Sequence, residues 1–175
     1  MTKRNKLIAL VLLLAFAGWM MMTVMPSGTT TKKIGNVGGK ETYEPKFRDE
    51  GDLQFVSAES GDTLKTIDIE LANAPDEIAY GMMYRKSMDI NTGMLFFMPT
   101  EEVQSFYMRN TYVSLDIIFI NSRHEIVSIQ KNAEPLNTTS LPSTGPANFV
   151  LEVKGGYCDQ FGIAAGDKIQ FQLAE

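Results

Sequence analysis

The feature that most restricts this chain is a stretch of 19 residues, Leu7 to Met25, without a single charge. As a helix rising ~1.5 Å per residue it reaches about 28 Å, close to the hydrocarbon thickness of a bilayer. Backbone polar groups in that layer must be satisfied within the segment, so helix is the sensible form. Lys3, Arg4 and Lys6 precede the run. Residues 1–25 therefore read as a single N-terminal transmembrane anchor. The competing reading is a cleaved signal peptide, which would make the rest of the chain a secreted protein. Ala15-Phe16-Ala17 has a small-x-small form but would cut inside the run, and Pro26-Ser27-Gly28 gives no clear A-x-A site. No Cys follows the run, which excludes lipoprotein processing.

The 175-residue chain has a net charge of −5, and that figure hides a division. Residues 1–48 hold eight Lys/Arg and two Asp/Glu, whereas residues 49–175 hold eight Lys/Arg and nineteen Asp/Glu. An acidic domain argues against a nucleic-acid binder. Basic residues before the anchor, and a long domain after it, favour a domain outside the cytoplasm, periplasmic or extracellular. One Cys and one His exclude an internal disulfide framework and any Cys/His zinc site, and no cofactor motif is present. Residues 26–50, with Gly35, Gly38 and Gly39 and no apolar periodicity, read as a flexible tether spanning roughly 25–30 Å. Residues 51–175 remain as one extracytoplasmic domain.

That domain reads as mainly β. Ile67, Ile69 and Leu71 alternate with polar residues, as do Ile169, Phe171 and Leu173, and Phe149, Leu151 and Val153. Leu115 to Ile120 is almost wholly apolar, which suits a strand buried on both faces. Glu125 to Lys131 follows across Asn121-Ser122-Arg123-His124 as the second arm of a hairpin. Gly93 to Met98 is a further strand, which Pro99 is expected to stop. Pro75, with Asp76 and Glu77 behind it, opens a helix expected to continue through Met82 to Arg85. A second helical turn fits Tyr157 to Phe161. Short strands with one principal helix point to a small β-sandwich or barrel-like domain.

Several residues are candidates for chemistry. Met82, Met83, Met88, Met94, Met98 and Met108 interleave with Phe96, Phe97, Phe106 and Tyr107. Such a set fills a core or lines an adaptable pocket; a thioether copper site is the weaker alternative, since no His or Cys joins it. Arg85, Asn110, Asp116 and Glu152 are polar residues set in apolar text. Asp116 and Glu152 are the only candidates for acid/base catalysis, and the plainer role is an ion pair, Arg85–Asp116 or Arg85–Glu152. His124 reads as a surface residue. Cys158 has no basic neighbour to activate it. Asn137-Thr138-Thr139 fits a glycosylation sequon.

Six ordered blocks carry a resemblance. They are Gly81-Met82-Met83-Tyr84-Arg85, Gly93-Met94-Leu95-Phe96-Phe97, Phe106-Tyr107-Met108-Arg109-Asn110-Thr111, Leu115-Asp116-Ile117-Ile118-Phe119, Val150-Leu151-Glu152, and Gly162-Ile163 with Gly166-Asp167. Over roughly residues 64–173 the chain resembles the bacterial and archaeal family called domain of unknown function 192. It departs from the family pattern at Met83, at Tyr107 where the family has Trp, and at Ser114 where it has Pro. The Cys pair of some members is absent. The resemblance implies a compact, mostly β domain of sandwich type, often exported or tethered, and no activity. Carried over, its polar positions are Arg85, Asn110, Asp116 and Glu152, and its apolar ones Met94, Phe106, Tyr107 and Met108.

Three functions fit these observations. The first is a non-catalytic module binding a small ligand or an envelope partner through Arg85, Met94, Phe106, Tyr107, Met108, Asn110, Asp116 and Glu152. The second is a hydrolase or lyase on an envelope carbohydrate, with Asp116 and Glu152 as acid and base. The third is a purely structural domain. Two carboxyl groups about 5–10 Å apart in one cleft would favour the enzyme.

Overall fold

The computed structural model describes residues 44–174. The expected anchor and most of the tether lie outside them. Among the described residues no helix is long and apolar enough to cross a membrane.

Seven strands form one sheet: β1 (Gly51–Val56), β2 (Thr63–Ala72), β3 (Thr92–Phe106), β4 (Leu115–Ile120), β5 (Ile126–Ala133), β6 (Leu141–Lys154) and β7 (Lys168–Leu173). Their spatial order is β5-β4-β6-β3-β2-β1-β7. All neighbours are antiparallel except β2 and β3. That parallel pair needs a crossover, which α1 (Pro75–Tyr80) supplies. A second helix, α2 (Tyr157–Phe161), follows β6.

The sheet curls into a half-barrel, so the barrel-like expectation describes it better than a two-layer sandwich. Its two outer strands approach at one end, where Glu125 bridges Lys168. The Ile126 N–H donates to the Asp167 carbonyl at 2.8 Å and the Ile169 N–H to the His124 carbonyl at 2.9 Å. His124 is half-buried at this seam, 5.3 Å from both the Phe149 and Phe171 rings, rather than free on the surface.

Alternation along the strands sends side chains to two faces. The concave face gathers Leu53, Phe55, Ile67, Ile69, Leu95, Ile118 and Leu151, with Tyr157 and Cys158 of α2 as its plug. The other face carries Met94, Phe96, Ile117, Phe119 and Val150, covered by Met82 and Met108. All six residues of β4 are buried, as its continuous apolar text requires.

Two expected element ends move. The helix stops at Tyr80, because Gly81 adopts φ 47° and ψ −131° and turns the chain away. Strand β3 runs past Pro99 to Phe106. Its pairing with β6 shifts register between Phe97 and Glu102, and Pro99 sits in that irregularity, where its missing N–H breaks no ladder bond.

Candidate functional site

The face covered by Met82 and Met108 also carries two glutamates. Glu70 on β2 aligns with Met94 on β3, which aligns with Glu152 on β6, and Glu152 with Ile117 on β4. The residues of one such row point the same way. Glu70 breaks the alternation of its own strand: it occupies a polar position and is 2% exposed. The reason is the segment after α1, which folds over this end of the sheet and delivers Arg85. The Arg85 Nη2 lies 2.8 Å from both carboxylate oxygens of Glu70. Arg48, just before β1, adds a longer contact of 3.6 Å to Glu70 and binds Glu50 and Glu77. Arg85 is thus paired, but its partner is Glu70, not Asp116 or Glu152.

Glu152 has no such partner. It is 4% exposed, and its Oε2 accepts no hydrogen bond. Burial pushes its carboxyl up to about 8, against a smaller opposing pull from the Met82 amide and the Arg85 charge. At neutral pH this side chain is mostly a neutral acid with an O–H to donate. It lies at a cavity of about 140 Å³ walled by Met82, Met83, Phe96, Met98 and Phe106, with Tyr80 and Tyr107 at the edge. Tyr80 is 60% exposed and Tyr107 42%. A second cavity of about 400 Å³ shares Tyr80, Gly81 and Met83 with the first and adds Arg48, Glu70, Tyr84, Arg85 and Met94.

The turn after α1 shapes both cavities. A Cβ at Gly81 would come within 2.9 Å of the Phe96 ring and 3.5 Å of Glu152 Oε2. Asn110 holds the far end of the turn. Its carbonyl accepts the Tyr84 N–H at 2.8 Å, and its side-chain amide donates to the Tyr84 hydroxyl at 2.9 Å. Asn110 takes a left-handed φ of 58°, which Asn tolerates better than most residues.

Asp116 is elsewhere. It aligns with Val153, one residue out of phase with Glu152, so it faces the concave side. Its carboxylate accepts the N–H groups of Asn132 at 2.7 Å, Gly156 at 3.0 Å and Cys158 at 2.9 Å. That fixes the entry to α2. The acid/base pairing of Asp116 with Glu152 fails on this geometry, since the two carboxyls lie on opposite sides of the sheet. Cys158 is fully buried, and burial raises its thiol pKa further from reactivity. Among the described residues no cluster of three His, Cys, Asp or Glu is placed to hold a metal ion.

The sequence model of the family DUF192, described as an uncharacterised ACR, matches residues 56–171. The chain belongs to the DUF192 family. The DUF192 domain is similar in structure to a candidate transcription regulator from Sinorhizobium meliloti 1021, with a TM-score of 0.68 and 32% identity over 74% of this chain and 98% of that one. It is also similar to a protein of unknown function from Novosphingobium aromaticivorans DSM 12444, with a TM-score of 0.64 and 34% identity over 68% of this chain and 83% of that one. No curated protein matches the sequence.

The blocks that carry the DUF192 resemblance separate by face. Gly81–Arg85, Met94, Phe106–Tyr107, Asn110 and Glu152 build the cleft or hold its turn. Met108 is wholly buried behind it, and Asp116 serves the other side. Glu70, Arg48 and Tyr80 belong to the site but not to the residues singled out by sequence. The one signal for Glu70 is that it sits between Ile69 and Leu71 near the end of a strand leading into a helix.

Proposed function

We propose that this chain is a membrane-tethered, extracytoplasmic module that binds a small ligand in the Glu152 cleft and carries out no covalent chemistry. The observation behind the site is the Glu152 carboxyl, unpartnered at Oε2 and buried among Met and Phe side chains beside two exposed tyrosines. Burying a polar group without a partner costs on the order of 1–3 kcal/mol, which an apolar residue in that place would not. A small, mostly apolar cleft with a few polar groups, here Glu152 with Ser105 and Thr111, is the usual form of a ligand site. The hydrolase reading has no support from the pair Asp116 and Glu152, and Glu70 is committed to Arg85.

Binding is tested by thermal shift on the full chain in detergent against millimolar aromatic and amide solutes. A ligand at ten times its Kd adds about 1.4 kcal/mol, a rise of several degrees for a domain this size. The shift should shrink in Phe106→Ala and Tyr107→Ala. A flat response, or one indifferent to both substitutions, would overturn the site.

Tethering and location rest on the charge-free run Leu7–Met25 and the basic residues before it. Full-length chain should stay with membranes through alkaline carbonate, and protease added to spheroplasts should digest the domain. A shortened mature chain in the soluble fraction would replace the anchor with a signal peptide. Protection from the protease would reverse the orientation.

A further inference from the structure

We infer that the Glu152 cleft seats the acetamido group of an N-acylated amino sugar. This rests on the binding reading above and names its ligand class. Size comes first. At about 140 Å³ the cavity matches the roughly 150 Å³ space that accepts benzene in an engineered protein core, so it holds a substituent and not a sugar ring. Its walls come next. Met82, Phe96, Met98 and Phe106 offer an apolar surface for a methyl group. Glu152, buried and on the cavity lining, supplies a polar contact. Held neutral by burial, it has an O–H to donate and a carbonyl oxygen to accept, which the C=O and N–H of a secondary amide complement.

Charge weighs against the ionic alternatives. Arg85 lines the adjoining cavity and not this one, and its Nη2 is held by Glu70 although its Nε has no partner. Asp76 and Glu77 line the adjoining cavity and repel anions. A cation would have to lose its hydration against Met and Phe beside Arg85. A neutral amide meets none of these penalties.

The rim selects what carries the amide. Tyr80 and Tyr107 are exposed at the edge of the cavity, and the Arg109 guanidinium stands 5.4 Å over the Tyr107 ring. Exposed aromatic faces pack the C–H face of a pyranose. The adjoining 400 Å³ cavity, with Asp76, Glu77 and Arg48, offers partners for its hydroxyls.

The test is a methyl-methionine NMR titration of the full chain in detergent micelles. Met82, Met83 and Met98 line the cavity, while the wholly buried Met108 does not and serves as control. N-acetylglucosamine should move the first three and spare Met108. Glucosamine, glucose and N-acetylalanine methylamide should each bind about five- to tenfold more weakly, the scale of one lost neutral hydrogen bond or one lost contact surface. Glucose binding as well as N-acetylglucosamine would overturn the acyl seat, and the methylamide binding equally well would overturn the sugar. If phenol moves the reporters and N-acetylglucosamine does not, the ligand class falls and the binding reading stands. If neither does, both fall. Glu152→Gln keeps an N–H donor and should hold affinity within about threefold; Glu152→Leu should lose at least about tenfold. Equal loss in folded Glu152→Gln would overturn the donor role. Should Glu152→Leu fail to fold, Phe106→Trp fills the cleft from its half-buried edge and should give the same loss.

Discussion

Glu70 and Glu152 stand in one cross-strand row with Met94 between them, yet only Glu70 has a cation in contact. Two acids on one face of a sheet thus meet different ends. Glu70 joins Arg85 to hold the turn after α1 against β2. Glu152, one strand beyond Met94, has no cation in contact, and its burial outweighs what the Met82 amide and the Arg85 charge supply.

That burial makes stability depend on pH in a definite direction. Below about 4.5 both folded and unfolded chains hold the Glu152 proton. Between 4.5 and about 8 the unfolded chain has released it and the folded chain keeps it, so stability falls as pH rises and levels off above 8. The charges facing Glu152 are Arg85 and, through it, Glu70, which Arg48 also approaches. Compared with Glu152→Gln, the native chain should lose about 1.4 kcal/mol per pH unit across that window. Urea unfolding at pH 5, 6.5 and 8 measures it. Parallel pH profiles for the two proteins would show that Glu152 ionises normally.

Asp116 should behave as a structural residue. Its carboxylate satisfies three backbone N–H groups, at Asn132, Gly156 and Cys158, and is itself wholly buried. Asp116→Ala strands all three donors and should cost about 3–5 kcal/mol. Chemical denaturation reads the loss. The remaining folded fraction should bind ligand with unchanged affinity, because Asp116 faces away from the cleft. A well-folded Asp116→Ala with impaired binding would contradict this.

The sequence made the strands legible where one period held throughout. Ile67, Ile69, Phe149, Leu151 and Ile169 alternate, and each lies on its strand as read. The Leu115–Ile120 run announced burial on both faces. Two kinds of information were not local. Pro99 signals a stop to any reading of β3 alone, and only the register shift against β6 accommodates it. Glu70 sits at a polar position of an alternating strand, and its burial depends on a turn fifteen residues later that brings Arg85 over it. The same limit separated Asp116 from Glu152. Both are acids within apolar text, but the pairing of Asp116 with Val153 and of Ile117 with Glu152 assigns them to opposite faces.

The Glu70–Arg85 pair gives a third prediction. Side-chain exposures of 3% and 8% make it a buried pair, so removing one partner leaves an uncompensated charge. Arg85→Met should destabilise by about 3–5 kcal/mol, and adding Glu70→Gln should recover a large part. A double-mutant cycle by urea unfolding measures the coupling. Arg48, with a side chain 48% exposed and 3.6 Å from Glu70, screens too weakly to replace Arg85. Additive losses from the two substitutions would mean that Arg85 acts through packing and not through Glu70.

Gly81 gives the last. Its φ of 47° with ψ of −131° is a conformation that essentially only glycine adopts, and a Cβ there would press on the Phe96 ring at 2.9 Å. Gly81→Ala therefore carries backbone strain and a steric clash, each on the order of 1–3 kcal/mol. The clash points at a wall of the Glu152 cavity, so the substitution should reach the site as well as the fold. The expected result is a folded protein of reduced stability in which the Met82 and Met98 methyl signals shift and Met108 does not. Gly93→Ala is the comparison. Its Cβ would meet Ile67 at 2.9 Å and Leu151 at 3.0 Å on the concave side, and of Glu152 only the backbone carbonyl at 3.3 Å, so it should destabilise while disturbing Met82 and Met98 less. Equal disturbance of the methionines by both substitutions would show that the turn after α1 does not set the shape of the cleft.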